Sequence, residues 1–105
     1  LIDASTAISG AGPAYVYYFM EAMMEAAQRM GFSPSEAELL VSQTFTGAVD
    51  LYNRTDLTCA DWIAKVSSKG GTTEAALRIF RETTLHDDII AGADAAFERA
   101  RELGK

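Results

Sequence analysis

A largely apolar stretch between Pro13 and Gly31 constrains the fold of this 105-residue chain more than any other feature. It predicts one helix, because proline suits the first helical position and glycine suits the residue after the last turn. Its clearly polar side chains follow one narrow stripe at helical spacing: Glu21, Glu25, Gln28 and Arg29. A helix that is apolar over most of its circumference must be buried on several sides. So short a chain has few elements to cover it, and we expect a second copy to supply part of the cover.

Four further helices are predicted from capping residues and apolar periodicity. Their starts are marked by Ser33 with Glu36 in a capping box, by Thr58 with Asp61, by the glycines before Thr73, and by Thr84 with Asp87. Trp62, in the third helix of the five, is expected in the core. Residues 1–12 are small, polar and rich in glycine, and we expect them to be extended. Since no alternating strand pattern of useful length occurs, the predicted fold is all-α, with about five helices in a bundle.

The charge balance argues against nucleic acid or an anionic membrane as a partner. Nine basic residues against fifteen acidic ones give a formal net charge of −6, and the basic residues are scattered. No apolar run reaches the ~18 residues of a membrane span. One cysteine, Cys59, and one histidine, His86, allow neither an internal disulfide nor a zinc site of the usual kind, so no metal is expected. The expected location is cytoplasmic.

The sequence VSSKGGTTEAAL, residues 66–77, precedes the fourth predicted helix and has two interpretations. It is either an ordinary turn with a helix cap or a cradle of backbone N–H groups for an anion. Gly70 and Gly71 allow positive φ and close approach of a ligand. The N–H groups around Gly71, Thr72 and Thr73 would lie at a helix N-terminus, which favours an anion. A small carboxylate fits better than a triphosphate, because the loop holds a single lysine.

Other short patterns carry weaker signals. Ser9–Tyr15, SGAGPAY, partly matches a dinucleotide-binding fingerprint, but tyrosine stands at the third glycine position and no βαβ pattern surrounds it. His86 precedes two aspartates at a helix start and is more simply an exposed histidine than a catalytic one. Cys59 has no basic neighbour in sequence that would favour a reactive thiolate. The glycine loop is therefore the candidate site.

Ser9–Tyr15 at the start of one helix and residues 66–77 at the start of another together resemble the C-terminal domain of pyrroline-5-carboxylate reductase. The pattern Q-T-x-x-G-A over residues 43–48 strengthens the resemblance, which covers nearly the whole chain. It implies an oxidoreductase of proline biosynthesis that reduces 1-pyrroline-5-carboxylate to L-proline. In that plan an N-terminal Rossmann domain binds NADPH or NADH. A C-terminal helical domain, of the 6-phosphogluconate-dehydrogenase-like type, dimerises by interlocking helices.

On this resemblance, residues 1–105 are a single C-terminal domain for dimerisation and substrate binding, and the Rossmann domain is absent from the chain. The sequence begins at Leu1 rather than methionine. We therefore expect a fragment that is inactive by itself. The expected partner is a second copy of the chain, and a higher oligomer of dimers is left open.

The resemblance also implies site residues. The loop that holds the substrate carboxylate would comprise Ser68, Gly70, Gly71, Thr72 and Thr73. Thr73, the residue with an expected catalytic part, would also reach the ring nitrogen of the pyrroline. The nicotinamide end of the cofactor would lie near Thr6, Ser9, Gly10, Ala11 and Gly12. Two positions depart from the family: Ala11 stands where serine is common, and Lys69 stands where proline is common, so the loop loses rigidity and gains a charge.

The expected reaction is hydride transfer from C4 of the nicotinamide to C5 of the imine. Since the imine is easily protonated, the site would contribute mainly by positioning the substrate and anchoring its carboxylate. Two alternatives stay open. One is a non-enzymatic helical dimerisation module in which the glycine loop is only a cap. The other is the helical domain of another two-domain dehydrogenase, such as a β-hydroxyacid dehydrogenase, although those domains usually offer a helix lysine as the acid.

Overall fold

A computed structural model describes residues 1–104, and all their regular structure is helical. Helix α1 (Ile2–Ser5) runs into a π-helical segment, Thr6–Gly10. Five longer helices follow: α2 (Gly12–Arg29), α3 (Pro34–Asn53), α4 (Cys59–Val66), α5 (Thr72–Glu82) and α6 (Leu85–Leu103). No strand occurs in the described part of the chain. The all-α fold class and the number of long helices are confirmed.

The chain divides into two compact units. The first comprises Leu1–Ala14 and the described residues from Lys65 onward. Within it, α6 packs against α1 and the π-helical segment, and it also packs against α5. Ala7, in the π-helical segment, is buried, with 2% of its surface exposed. Helix α6 is therefore the scaffold of this unit.

The second unit is Tyr15–Ala64. Here Phe19 of α2 meets Phe45 of α3 edge to face, with ring centroids 5.6 Å apart. Ala37 and Val41 on α3 are its buried apolar residues. With so small a core, this unit leaves most of its large apolar side chains accessible.

The end of α2 and the starts of α3 and α4 follow the predicted capping chemistry. Gly31 has a φ of 115°, and its N–H donates to the carbonyl of Gln28 while the next N–H donates to that of Ala27, which terminates α2. At the start of α3, the Ser33 hydroxyl accepts from the N–H of Glu36, and the Glu36 carboxylate accepts from the N–H of Ser33. Thr58 and Asp61 make the same reciprocal pair before α4.

Three expectations about local structure are wrong. Residues 2–10 are helical rather than extended, because packing against α6 outweighs the weak helix propensity of the serine, threonine and glycine residues there. Thr84 and Asp87 do not cap α6; the Thr84 hydroxyl donates to Asp88 instead. Trp62 is half-buried rather than fully in the core, and its indole N–H reaches the Thr55 hydroxyl at 3.1 Å, since a buried indole needs an acceptor.

Large apolar side chains of α2 lie on the surface of the single chain. Tyr17, Tyr18 and Met30 are 67%, 78% and 79% exposed. Between α2 and α3 runs an apolar groove of about 350 Å³, lined by side chains that include Phe19, Met23 and Phe45. None of the helices in residues 1–104 combines the length and hydropathy needed to cross a membrane. The second unit thus exposes large apolar side chains and an apolar groove.

The capping box of α3 generates a pH-dependent contribution to stability. The hydrogen bond from the Ser33 N–H, with a smaller contribution from its hydroxyl, holds the pKa of Glu36 below its usual 4.5. Because folding stabilises the carboxylate, its contribution is present above 4.5 and is lost as the pH falls through the lowered pKa. At neutral pH, Glu36→Gln should therefore unfold at a lower temperature than the unsubstituted chain, with the difference shrinking in acid.

Thermal unfolding at matched protein concentration over a pH series measures this effect. Glu38→Gln is the control, since Glu38 lies on the same helix and its side chain makes no hydrogen bond within residues 1–104. A difference between Glu36→Gln and the unsubstituted chain that stays constant with pH would contradict the prediction.

Candidate anion-binding site at the start of α5

The glycine loop folds into a β-turn over residues 68–71. The N–H of Gly71 donates to the carbonyl of Ser68 at 2.9 Å, and Gly70 has a φ of 75°. Among residues 1–104, no residue other than glycine has positive φ. A single positive φ at the third position defines a type II turn, in which the second position favours proline. Lys69 occupies that second position. The type II backbone explains why a proline would fit there.

Gly71 needs to be glycine for a different reason from the one expected. Its φ of −88° and ψ of −177° are extended, so the expectation of positive φ is wrong at this residue. A Cβ on Gly71 would collide with the Oγ of Ser68 and would lie 3.1 Å from the Ser68 carbonyl oxygen. The loop therefore needs Gly70 for its conformation and Gly71 for space.

Helix α5 begins without a side-chain cap, unlike α3 and α4. Hydroxyl oxygens of Ser33 and Thr58 accept backbone N–H groups at the starts of those two helices. At α5 the N-cap is a glycine, and the N–H groups of Thr72, Thr73 and Glu74 find no acceptor among the described residues. Three aligned donors at the positive end of a helix dipole are suited to bind an anion.

Two loop amides are already engaged by the protein itself. The Gly71 N–H is used by the turn, and the Gly70 N–H donates to Oε2 of Glu74 at 2.7 Å. The donors open to a ligand are therefore one residue further along than the sequence indicated. The hydroxyls of Thr72 and Thr73 have no partner within residues 1–104, so they remain available as donors beside these amides.

Glu74 was not among the site residues expected from the sequence. It lies three residues after the N-cap Gly71, where glutamate completes a capping box when the N-cap is serine or threonine. That spacing is the sequence feature that could have indicated a role for Glu74. With glycine at the N-cap, only the glutamate half of the pattern is present, and the carboxylate reaches one residue further back, to Gly70.

The second predicted group lies in the π-helical segment and the residues after it. The hydroxyls of Thr6 and Ser9 donate to carbonyls four residues earlier. The Ala11 N–H donates to the carbonyl of Thr6, five residues back, at 2.8 Å. A Cβ added to Gly12 would meet no atom within 4 Å, and one added to Gly10 would make only ordinary contact with Thr6. Gly10 and Gly12 therefore leave open surface beside the π-helical segment. Turns of π-helix are frequent at functional sites.

Both predicted groups belong to the same compact unit, and the segments that carry them, Thr6–Gly10 and α5, each pack against α6. The other residues considered lie elsewhere. His86 is largely exposed beside Asp87, and Cys59 is exposed at the start of α4. Among residues 1–104, no three His, Cys, Asp or Glu side chains are grouped as metal ligands.

The family model for pyrroline-5-carboxylate reductase dimerisation matches residues 1–103. The chain belongs to this family. Its similarity to pyrroline-5-carboxylate reductase 2 of Bacillus subtilis is 38% identity over 102 residues, which is 97% of this chain and 37% of that protein. Pyrroline-5-carboxylate reductase 3 of Danio rerio is 37% identical over 98% of the chain and 36% of its own length.

Solved structures of pyrroline-5-carboxylate reductases have the same fold. That of Plasmodium falciparum, with NADP bound, superposes with a TM-score of 0.95 at 32% identity, covering 99% of this chain and 40% of its own. That of Coxiella burnetii gives 0.94 at 39% identity, covering 99% of this chain and 38% of its own. The chain thus spans less than half the length of the reductases it matches.

The type II turn predicts that Lys69→Pro stabilises the pyrroline-5-carboxylate reductase dimerisation domain. Proline fixes φ at the second turn position, and the Lys69 N–H donates to no atom in residues 1–104, so no hydrogen bond is lost. The expected gain in free energy of unfolding is about 0.4–1 kcal/mol. Chemical denaturation measures it, with Lys69→Ala as the control for removal of the charge alone. A lower stability for the proline variant would show that the backbone at the second turn position does not suit proline.

Proposed function

We propose that this chain is the dimerisation and substrate-binding domain of an enzyme that reduces 1-pyrroline-5-carboxylate to L-proline. The observation that carries the proposal is the uncapped start of α5, where three N–H groups stand together behind a type II turn. Family membership supports it, because relatives that match this chain are named pyrroline-5-carboxylate reductases. The nucleotide-binding domain would come from the part of the enzyme outside this chain.

The substrate carboxylate would be held by the N–H groups of Thr72, Thr73 and Glu74. Hydroxyls of Ser68 and Thr72 would complete the site. A carboxylate matches the site better than a larger anion, because Lys69 is its one nearby cation in sequence and Glu74 already contributes a negative charge. The site therefore suits a small monoanion.

NADPH or NADH would contact this domain through its nicotinamide end. The open surface at Gly10 and Gly12 fits the close approach of a flat ring. The described residues contain no strand, and hence no βαβ unit of the kind that binds a pyrophosphate. Thr6, Ser9 and Ala11 would complete the contact. When bound, the cofactor would supply hydride from nicotinamide C4 to the carbon of the C=N bond, which becomes C5 of the proline product.

The contribution of this chain to the chemistry would be orientation. Anchoring the carboxylate fixes one end of the substrate ring, and the Thr73 hydroxyl would hydrogen-bond the ring nitrogen, donating to the neutral imine or accepting from the N–H of the iminium. An iminium accepts hydride readily, so no strongly acidic side chain is required. This fits a site in which Glu74 is engaged with a backbone amide rather than placed as an acid.

A second copy of the chain would cover the apolar surface of the second unit. That surface includes the groove between α2 and α3 and the exposed tyrosines of α2. Apolar patches of this kind mark association surfaces, and the matching family is described by dimerisation. We therefore propose a homodimer, with assembly into larger oligomers compatible with it, in the cytoplasm as the lone cysteine favours.

The first test concerns the substrate site in the complete enzyme. Thr73→Ala should raise KM for 1-pyrroline-5-carboxylate by about tenfold, because it removes a hydrogen bond to a charged or polar ring nitrogen. Steady-state kinetics measure the change, and Thr83→Ala, at the opposite end of α5, is the matched control. An unchanged kcat/KM would exclude Thr73 from the site.

The second test concerns dimerisation. Met23→Glu places a carboxylate in the groove between α2 and α3 and should weaken self-association at least about a hundredfold, since an unpaired buried charge costs about 3–5 kcal/mol. Met23→Leu preserves apolar volume and should dimerise normally. Sedimentation over a concentration series measures both. If Met23→Glu dimerised as strongly as the unsubstituted chain, the groove would lie outside the interface.

A non-enzymatic dimerisation module is the competing function that the exposed apolar surface would also support. The two functions predict different ligand binding at the start of α5. Titration with L-proline, followed by amide chemical shifts, should move the signals of residues 68–74 if the site binds a carboxylate. Shifts absent from the loop, with dimerisation intact, would favour the module.

A further inference from the structure

We propose that Glu74 is a positioning residue, which holds the 68–71 turn in the form that leaves the α5 amides open to an anion. The inference rests on the proposed function of this site. Glu74 sits in the first turn of α5, and its Oε2 accepts the N–H of Gly70 at 2.7 Å. No other hydrogen bond to a side chain is made by the backbone of residues 68–71 in the described chain.

The peptide that Glu74 holds is the one that decides the turn type. Type I and type II turns differ chiefly by a flip of the peptide between their second and third residues. Here that peptide joins Lys69 to Gly70, and its N–H is the group bonded to Glu74. A flip would replace this N–H with the carbonyl of Lys69, directing partial negative charge towards the Glu74 carboxylate. The bond to Glu74 therefore selects the type II form.

The 68–71 turn in turn sets where α5 begins. The Gly71 N–H closes the turn on Ser68, and Gly71 is the N-cap, so the first open donor is that of Thr72. With lysine rather than proline at the second position, the backbone of the turn is not pre-set by a ring. Proline would fix φ at the second position, whereas Glu74 fixes from the helix side the orientation of the peptide that follows that position.

Glu74 has two effects of opposite sign on an anionic ligand. Its hydrogen bond keeps the donors in place, which strengthens binding, whereas its charge repels a carboxylate, which weakens binding. Glutamine separates the two effects, because its amide oxygen accepts the same hydrogen bond without the charge. Alanine removes both.

The experiment measures KM and kcat of the complete enzyme for 1-pyrroline-5-carboxylate. Glu74→Ala should raise KM about tenfold with kcat nearly unchanged, since positioning affects the ground and transition states alike. Glu74→Gln should have a KM equal to or lower than that of the unsubstituted enzyme. Glu74→Leu, which keeps bulk without an acceptor, should match alanine. Glu82→Ala, at the far end of the same helix, is the control for loss of charge.

The outcomes separate this inference from the proposed function. Reduction of 1-pyrroline-5-carboxylate with an unchanged KM in Glu74→Ala and Glu74→Leu would overturn the positioning role and leave the proposed function standing. A KM lowered equally in the alanine and glutamine variants would show that only the charge of Glu74 affects binding. A glutamine variant as impaired as the alanine variant would show that an uncharged acceptor does not hold the turn. Either result would overturn the inference. Absence of reduction by the unsubstituted complete enzyme would overturn the proposed function itself.

Discussion

The candidate site depends on one constraint: a helix that begins in water or in a binding site must find acceptors for its first N–H groups. Helices α3 and α4 meet this need with hydroxyls tethered to their own chain, at Ser33 and Thr58. Helix α5 has glycine at the corresponding position, and its donors face outward unsatisfied. Helix α6 also lacks a side-chain cap, but the open start of α5 is the one that lies in the segment with the family's glycine loop.

Two adjacent glycines make the open start possible in different ways. Gly70 adopts a backbone conformation that side chains disfavour, while Gly71 leaves room for Ser68 to fold against the turn. Neither role replaces the other. Glu74 joins this arrangement from the helix, so the turn and the first helical turn form one hydrogen-bonded unit.

Most of the fold could be predicted because local capping interactions set its helix boundaries. The Ser33–Glu36 box, the Thr58–Asp61 pair and Gly31 act within a few residues of chain, and each is found as expected. The helical form of residues 2–10 could not be predicted this way, because it depends on packing against α6, which is distant in sequence. For the site, the motif indicated the loop, but the roles of its glycines and of Glu74 depend on distances that a sequence pattern does not contain.

The small interior of each unit has a consequence for how the protein acquires its structure. Only Ala7, Ala37 and Val41 are buried apolar residues among those described, far fewer than a self-sufficient domain of this length would bury. If a second copy completes the interior, then monomers released from synthesis or from denaturant would meet before they finish folding. Recovery of the native state would then follow second-order kinetics, and dilution, normally a remedy against aggregation, would slow it.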